Sequence, residues 1–351
     1  MTGEAQHDAW QRRELPPVEQ PRPGLWSIPV PIPDSPMRYT LSYAFVGDDG
    51  GVLLVDPGWD SPDGRRLLTE GLAAAGAGPA AVTGIVVTHI HPDHHGMTAW
   101  LRGESGAWVG MHPVEAASLP GRAWRGRHPG SDPSWLRRQG VPEAEIAGMQ
   151  LRRERVEALL AMPEPDRLIE DGDLLPLTGR AVRAVWTPGH TPGHLCLHDA
   201  EAGILLTGDH LLPRITPNVA ALLTSEGDPL GAYLASLGRV AAFADAEALP
   251  AHEWRFRGVH RRAAEIVAHH EKRDAEILRA ADLLDEPTTW QIAAELTWSR
   301  GWASLHGLLR RMALAETLAH LWHLAESGLV APSDDEPTRW RCGVPPRPDR
   351  Q

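Results

Sequence analysis

Thr88-His-Ile-His-Pro-Asp-His-His-Gly96 is the stretch that decides the fold, and it follows a short apolar run with the pattern of a buried strand. A strand that ends in a loop can turn alternate side chains toward one point, so we expect His89 and His91 to face the same place. Asp93 and His94 would then point from the loop toward a second place nearby. Imidazole nitrogen and carboxylate oxygen are the ligands that a zinc-type cation prefers. The stretch therefore predicts a metal site.

Three more ligand-type residues stand downstream, each where an apolar strand is predicted to end. His190 lies on a tight Pro-Gly-His-Thr turn, Asp209 follows the run Ile-Leu-Leu-Thr-Gly, and His252 follows Ala-Leu-Pro-Ala. Active-site residues are concentrated in loops that a rigid scaffold positions. We therefore expect these three side chains to join the first four at one edge of a sheet.

The order H-x-H-x-D-H, then P-G-H-T, then G-D, then a late histidine resembles the metallo-β-lactamase fold superfamily. The resemblance implies an α+β fold, a four-layer αββα sandwich with two metals at one edge of its sheets. It implies that one metal is bound by His89, His91 and His190. The second metal would be bound by Asp93, His94 and His252, with Asp209 bridging the two. Residues expected to support these ligands from behind are Asp56, in the Val-Asp-Pro-Gly turn, His194 and His210.

Two divalent cations, expected to be zinc with iron or manganese as alternatives, imply a dinuclear hydrolase. Such a pair lowers the pKa of a shared water, so that a bridging hydroxide is available as the nucleophile. We expect Asp93 and Asp209 to be the catalytic carboxylates, with Asp93 also able to orient the hydroxide or move its proton. The persulfide dioxygenases share the first motif but use a single iron, and they are a weaker alternative because both sets of ligands are present here.

Residues 260–330 read as helices, and their pattern resembles the winged-helix-like C-terminal domain of the branch that contains the lactamase-beta-like protein 2 group. That branch implies either cleavage of a thioester, ester or lactone of a small or carrier-bound substrate, or single-strand endoribonuclease activity. The chain has 34 basic and 46 acidic residues, a net charge of −12. This charge disfavours an RNA substrate, because nucleic-acid binding relies on clustered Lys and Arg.

Candidate substrate-pocket residues come from two places. Trp59 follows the Val-Asp-Pro-Gly turn, and Arg122, Trp124 and Arg125 belong to the densest basic and aromatic cluster of the chain. Either a phosphate of the substrate or solvent could face that cluster.

The sequence further predicts four segments: a flexible lead-in at 1–22, a catalytic domain at 23–258, a helical winged-helix-like domain at 259–335 and a flexible tail at 336–351. Within them we expect an antiparallel meander over 25–55 and helices over 61–76 and 142–160. Two cysteines, no apolar run long enough for a membrane span and no signal-peptide pattern predict a cytoplasmic protein that does not bind membranes. A homodimer is compatible with the pattern.

Overall fold

The computed structural model describes residues 1–124, 133–221 and 225–343, and the chain divides into two compact units. The first unit comprises Met1–Ala123, Leu159–Pro217 and Ala235–Ala264. The second comprises the described parts of Trp124–Ala158, Asn218–Leu234 and Glu265–Gln351. Two earlier segments thus belong with the C-terminal helices, whereas the sequence predicts one boundary near 258. The flexible tail predicted over 336–351 is wrong at residues 340–342, which form a strand paired with residues 330–332, and residues 344–351 lie outside the described residues.

The first sheet of the first unit contains seven strands, in the order β1 to β7. Their bounds are β1 Glu19–Arg22, β2 Leu25–Pro31, β3 Tyr39–Val46, β4 Val52–Val55, β5 Val82–Val86, β6 Trp108–Met111 and β7 Arg167–Leu168. Strands β1 to β4 pair antiparallel, which confirms the predicted meander, and β4 to β7 pair parallel.

The second sheet contains five strands, in the order β12-β11-β10-β9-β8. Their bounds are β8 Val182–Trp186, β9 Leu195–Asp199, β10 Ile204–Gly208, β11 Glu247–Pro250 and β12 Phe256–Arg257. Strands β10 and β11 pair parallel, and the other pairs are antiparallel. A bulge interrupts the β10–β11 pair, because Leu206 lies opposite Leu249 while Gly208 lies opposite Pro250, which leaves Thr207 as an extra residue.

Apolar side chains from both sheets form one buried cluster between them, for example Leu41 and Phe45 with Leu197 and Leu206. The other face of the first sheet packs against helices through a second cluster, which includes Leu72. Next to the second sheet, the helix residues Ser236 and Arg239 donate hydrogen bonds to the carbonyls of Pro188, just after β8, and Trp186, the last residue of β8. This layering confirms the predicted α+β sandwich.

The described helices precede, connect or follow these strands, and several stand in succession. Their bounds are α1 Glu4–Arg12, α2 Pro62–Ala74, α3 Pro92–His95, α4 Thr98–Ser105, α5 Pro113–Ser118, α6 Pro120–Ala123, α7 Pro133–Arg138, α8 Glu143–Met149, α9 Arg153–Leu160, α10 Pro229–Ala241, α11 Val259–Leu283, α12 Thr289–Glu295 and α13 Gly307–Glu326. Helix α2 confirms the predicted helix, with the Ser61 hydroxyl accepting the Gly64 N–H at 3.0 Å. The single helix predicted over 142–160 is wrong, because the helix is broken at Gln150, whose backbone is extended. Gly148, in the last turn of α8, is a poor helix former and favours an end at this point. Among the described residues, no helix is both long and apolar enough to cross a membrane.

Residues 1–22 form α1 and β1 rather than a flexible lead-in. The reason is long-range packing: the Trp10 ring lies 6.0 Å from the Tyr39 ring and 6.2 Å from the Trp254 ring. The Gln6 side chain also accepts the Arg255 N–H at 2.9 Å. None of these partners is near in sequence, so local pattern alone indicates a polar, Pro-rich arm.

The second unit has its own buried core, to which α7 and α8 contribute Trp135, Ile146 and Met149 and α13 contributes Leu314 and Leu318. These buried side chains explain why the segment before residue 158 belongs to this unit. After α13 the strands β13 Val330–Pro332 and β14 Trp340–Cys342 form an antiparallel hairpin.

Several strands of the first unit end at the same edge, because β4 and β5 run parallel, as do β10 and β11. The loops that follow β4, β5, β8, β10 and β11 contain Asp56, residues 89–94, His190, Asp209 and His252. The fold thus collects at one edge residues that lie up to 196 positions apart in the chain.

Candidate metal centre

His89, His91 and His190 direct one nitrogen each toward a common point. His89 Nε2 lies 2.9 Å from His91 Nδ1 and 3.3 Å from His190 Nε2, and the last two nitrogens are 3.1 Å apart. Ligands about 2.0–2.1 Å from a tetrahedral zinc ion are separated by about 3.3 Å. The spacing of the three nitrogens therefore matches one metal's coordination set.

His94, Asp93 and His252 form a neighbouring cluster. His252 Nε2 lies 3.5 Å from Asp93 Oδ2, and His94 Nε2 lies 3.8 Å from the same oxygen. The imidazoles of His94 and His252 are fully buried, whereas the Asp93 side chain is 21% exposed. Asp93 is therefore the group of this cluster that solvent or a substrate can reach.

The Asp209 carboxylate lies between the two clusters. Its Oδ1 is 3.1 Å from His252 Nε2 and 3.5 Å from His94 Nε2, and its Oδ2 is 3.8 Å from His190 Nε2. One oxygen thus faces each cluster, which is the arrangement a bridging carboxylate requires.

His94 Nε2, His252 Nε2 and Asp209 Oδ1 are buried. Both nitrogens lie 3.1–3.5 Å from the carboxylate oxygen, yet none of the three atoms forms a well-aligned hydrogen bond to a described residue. A buried polar atom left unpaired costs about 1–3 kcal/mol, and more when it is charged. All three atoms point toward each other, and all three are of the kinds that bind zinc. The residues therefore fit a pair of divalent cations.

Other buried groups fix the orientation of these side chains. Asp56 Oδ2 binds His94 Nδ1 at 2.8 Å, and the carbonyl of Tyr39 accepts His252 Nδ1–H at 2.8 Å. Both bonds leave Nε2 facing the centre. His194 Nε2 accepts the Asp209 N–H at 3.1 Å. Such supporting bonds select the tautomer and the ring direction of a metal ligand.

The electrostatics of the two clusters differ. Burial, followed by neighbouring imidazoles, lowers the pKa of His89 well below its ordinary value and the pKa of His91 to about 3. Both rings are therefore neutral, the state in which imidazole binds a metal.

In the second cluster burial disfavours the charged forms of His94 and Asp209, but the attraction between the opposite charges of the histidines and the carboxylate outweighs this effect. Asp209 is the leading carboxylate that raises the pKa of His94 well above its ordinary value, while His252 and His94 lower the pKa of Asp209 well below its own. In the absence of a cation this cluster thus retains a proton. Metal binding would displace that proton, because bound ligands are deprotonated.

The other predicted residues lie in different surroundings. His210 is buried, with its ring centroid 6.0 Å from that of His194. Trp59 is half-buried in the loop after β4, and Trp124 is half-buried after α6. Arg122 is exposed and forms an ion pair with Glu164, so in this structure its guanidinium is already engaged. Arg125 lies outside the described residues.

Glu115 is a residue that the sequence pattern does not indicate. It lies on α5, is fully buried, and accepts hydrogen bonds from the backbone N–H groups of Ile90 and Gly193. A glutamate just inside a helix is common, and partners that are backbone groups have no sequence signature. The one available signal is a Pro-Val-Glu helix start directly after a buried strand.

The sequence profile of the metallo-beta-lactamase superfamily matches residues 37–252. The match includes every residue of both clusters. Among solved structures, a metallo-beta-lactamase family protein from Thermus thermophilus has a TM-score of 0.78 and 34% identity, over 92% of this chain and 99% of that one.

Two curated relatives have named functions or families. A chicken (Gallus gallus) protein named acyl-coenzyme A thioesterase MBLAC2 is 33% identical over 164 residues, which make up 45% of this chain and 52% of that protein. The fungal lactamase-like protein nscB of Arthroderma gypseum is 27% identical over 263 residues, 70% of this chain and 75% of that protein. The present chain therefore spans about half the length of the chicken relative that it matches.

Proposed function

This chain belongs to the metallo-beta-lactamase superfamily of metal-dependent hydrolases, and on that premise we propose that it cleaves acyl thioesters with two divalent cations. In this proposal the first cation is bound by His89, His91 and His190, and the second by Asp93, His94 and His252. Asp209 contacts both. The observation that carries the proposal is the convergence of ligand atoms in the two clusters, among which the buried His94 Nε2, His252 Nε2 and Asp209 Oδ1 lack well-aligned hydrogen bonds to described residues.

Zinc is the cation that the donor set favours, since imidazole nitrogen and carboxylate oxygen are its usual ligands and no thiolate is present among the clustered residues. Two such cations, when bound, would supply Lewis acidity and a hydroxide nucleophile near neutral pH. We assign the bridging position to Asp209, because its two oxygens face different clusters.

Asp93 is the candidate for proton transfer. Its carboxylate is more exposed than that of Asp209, 21% against 12% of the side chain. The Thr40 hydroxyl donates to the Asp93 carbonyl at 2.8 Å and so fixes the backbone beneath it. A carboxylate held in this way can take up the proton of the attacking water at a side-chain oxygen and return it to the leaving thiolate.

A thioester is the favoured substrate because the chicken relative is named an acyl-coenzyme A thioesterase. The acidic balance of the chain also opposes bulk binding of RNA. Helices α11 to α13 followed by the β13–β14 hairpin have the element order of a winged helix, and we propose this identity for the domain predicted over 259–335, extended to the end of β14 at Cys342. The proposal leaves the acyl group open.

The test is a metal count on purified protein, combined with hydrolysis of an acyl-coenzyme A thioester followed by thiol release. We expect about two cations per chain and thioester turnover that the Asp209→Ala substitution abolishes. A labelled single-stranded RNA is the comparison substrate. RNA cleavage with the same metal dependence, and no thiol release, would overturn the thioester proposal in favour of a nuclease; one iron per chain and no hydrolysis would overturn both.

A further inference from the structure

The Glu115 carboxylate joins the two loops that supply the first cluster. Its Oε1 accepts the Ile90 N–H at 2.8 Å, and its Oε2 accepts the Gly193 N–H at 2.8 Å. Ile90 stands between His89 and His91, and Gly193 lies three residues after His190. The buried Glu115 side chain thus connects the two loops whose three histidine nitrogens must lie close together.

Helix α5, which carries Glu115, is itself fixed against the second of these loops. The His112 ring, at the start of the helix, stacks on Trp186 with centroids 4.8 Å apart and planes 8° from parallel. The Trp186 Nε1–H donates to the Pro192 carbonyl at 3.0 Å. The helix and the His190 loop therefore form one packed piece, and Glu115 connects that piece to the His89 loop.

Gly193 is required by this arrangement. A Cβ at this position would lie 2.2 Å from the backbone nitrogen of Glu115, a distance that no side chain can occupy without moving the backbone. The loop thus approaches the helix closely enough for its N–H to reach the carboxylate only because residue 193 has no side chain.

A carboxylate costs free energy in this position. Burial raises the pKa of Glu115 to about 7, although the hydrogen bonds from Ile90 and Gly193 oppose the shift. Each oxygen of this fully buried glutamate accepts the backbone N–H of a different loop, which indicates a need for an acceptor with two oxygens at a fixed separation.

The second cluster is supported differently. His94 is oriented by Asp56, His252 by the Tyr39 carbonyl, and the Asp93 backbone by Thr40. Among the described residues, Glu115 has no hydrogen bond to any of these groups. Asp56 also reaches the first cluster, because it accepts hydrogen bonds from the Thr88 N–H and hydroxyl, and Thr88 Oγ1 lies 3.1 Å from His89 Nδ1. The hydrogen bonds described for Glu115, by contrast, go to the loops of the first cluster.

We propose that Glu115 is a positioning residue of the first metal centre: it sets the distance between the His89–His91 loop and His190, so that cation affinity at this centre depends on it while affinity at the other does not. This inference rests on the proposal that the clusters bind cations.

The experiment is a zinc titration of the metal-free protein, in competition with a chromophoric chelator, for the wild type and Glu115→Gln. Glutamine retains one acceptor but turns an N–H₂ group toward the other loop N–H. We expect one of the two zinc affinities to fall about 10–100-fold, the range for loss of a supporting partner, with the other unchanged. A cobalt(II) titration followed by absorption gives a second readout of the number of sites.

Glu247→Gln is the matched control, since Glu247 is also a buried carboxylate of the first unit but binds Thr2, Arg22 and Arg255. It should leave both affinities unchanged. Gly193→Ala, which keeps the carboxylate but blocks the loop approach, should reproduce the selective loss even if Glu115→Gln does not fold. Equal, tight binding of two zinc ions by wild type, Glu115→Gln and Gly193→Ala would overturn the positioning role alone. Absence of zinc binding by the wild type would instead overturn the metal proposal on which it rests.

Discussion

Buried histidines occur in both units, yet they are arranged in different ways. In the second unit, the Asp274 carboxylate binds His320 Nδ1 at 2.7 Å, and His320 Nε2 binds His270 Nδ1 at 3.2 Å. Donor and acceptor alternate along this chain of three side chains. At the edge of the first unit, by contrast, nitrogens and oxygens converge on shared points, as with His94 Nε2, His252 Nε2 and Asp209 Oδ1.

The difference shows that burial of imidazoles does not by itself indicate a metal site. A linear chain satisfies its members with protons and leaves one nitrogen at its end, here His270 Nε2, without a hydrogen-bond partner in the part of the protein that the structure describes. The three converging nitrogens of the first cluster cannot all be satisfied in that way, because each neutral imidazole has only one N–H to donate. Convergence of acceptors, rather than the number of histidines, is what indicates a cation.

The largest expected effect comes from replacing one histidine of the convergent set and one of the linear chain with alanine. His190→Ala should reduce thioester turnover by at least about 100-fold and lower the metal count, since loss of a mere supporting partner already costs about 10–100-fold. His320→Ala should leave the metal count at its wild-type value and destabilise the protein by about 2–3 kcal/mol, because Asp274 loses its partner. Elemental analysis and urea unfolding measure the two effects. Loss of metal from His320→Ala would contradict the distinction between a convergent, metal-binding set and a linear, structural chain of histidines.

The next effect concerns a supporting residue of the convergent set. Asp56→Asn keeps the shape of the side chain and tolerates the left-handed backbone at this position, where φ is 52°. It weakens the bond to His94 Nδ1, so we expect affinity for one cation to fall about 10–100-fold. Competition titration with a chelator measures this. Unchanged affinity would mean that the His94 ring is fixed by packing alone.

A pH-dependent effect is expected in the linear chain. Burial, followed by His320, lowers the pKa of His270 to about 3, whereas an unfolded histidine titrates near 6.5. Between these values the unfolded chain binds more protons, so stability rises with pH by up to about 1.4 kcal/mol per unit through this group. His270→Phe should flatten this slope between about pH 4.5 and 6.5 in urea unfolding of metal-free protein. His260→Gln, at an exposed position, is the control and should keep the wild-type slope.

The smallest expected effect comes from a substitution in the second unit that leaves the residues of the first unit unchanged. Thr288→Ala removes the side-chain acceptor of the Gln291 N–H, half of a capping box at the start of α12. The expected loss is about 1 kcal/mol of unfolding free energy. Metal content should equal that of the wild type, and a change in it would show that the centre senses this helix end.

Much of the candidate site could be predicted from sequence because its residues stand close to strand ends. Four ligand-type residues fall within 89–94, and the others each follow an apolar run. The structure brings these residues together, and their assignment to particular cations stays a proposal. Asp56 and His194, expected behind the ligands, bond to His94 and to the Asp209 backbone.

What could not be predicted depends on partners that are distant in the chain or belong to the backbone. Glu115 binds two loop N–H groups, which any sequence could supply. The Trp10 ring is buried beside Tyr39 and Trp254, so the N-terminal arm is ordered by contacts that its own sequence does not indicate. The assignment of 133–149 to the second unit has the same origin, in burial of Trp135 and Ile146.

The bulge at Thr207 determines how the site would respond to a deletion in β10. Side chains alternate between the faces of a strand, so each residue added or removed inverts the parity of all that follow. The extra residue in β10 stands two positions before Asp209. A deletion of Thr207 would therefore shift Gly208 and Asp209 by one position relative to β11 while leaving the Gly-Asp motif intact. The number of residues in this strand is thus as necessary for building the site as the identity of its ligands.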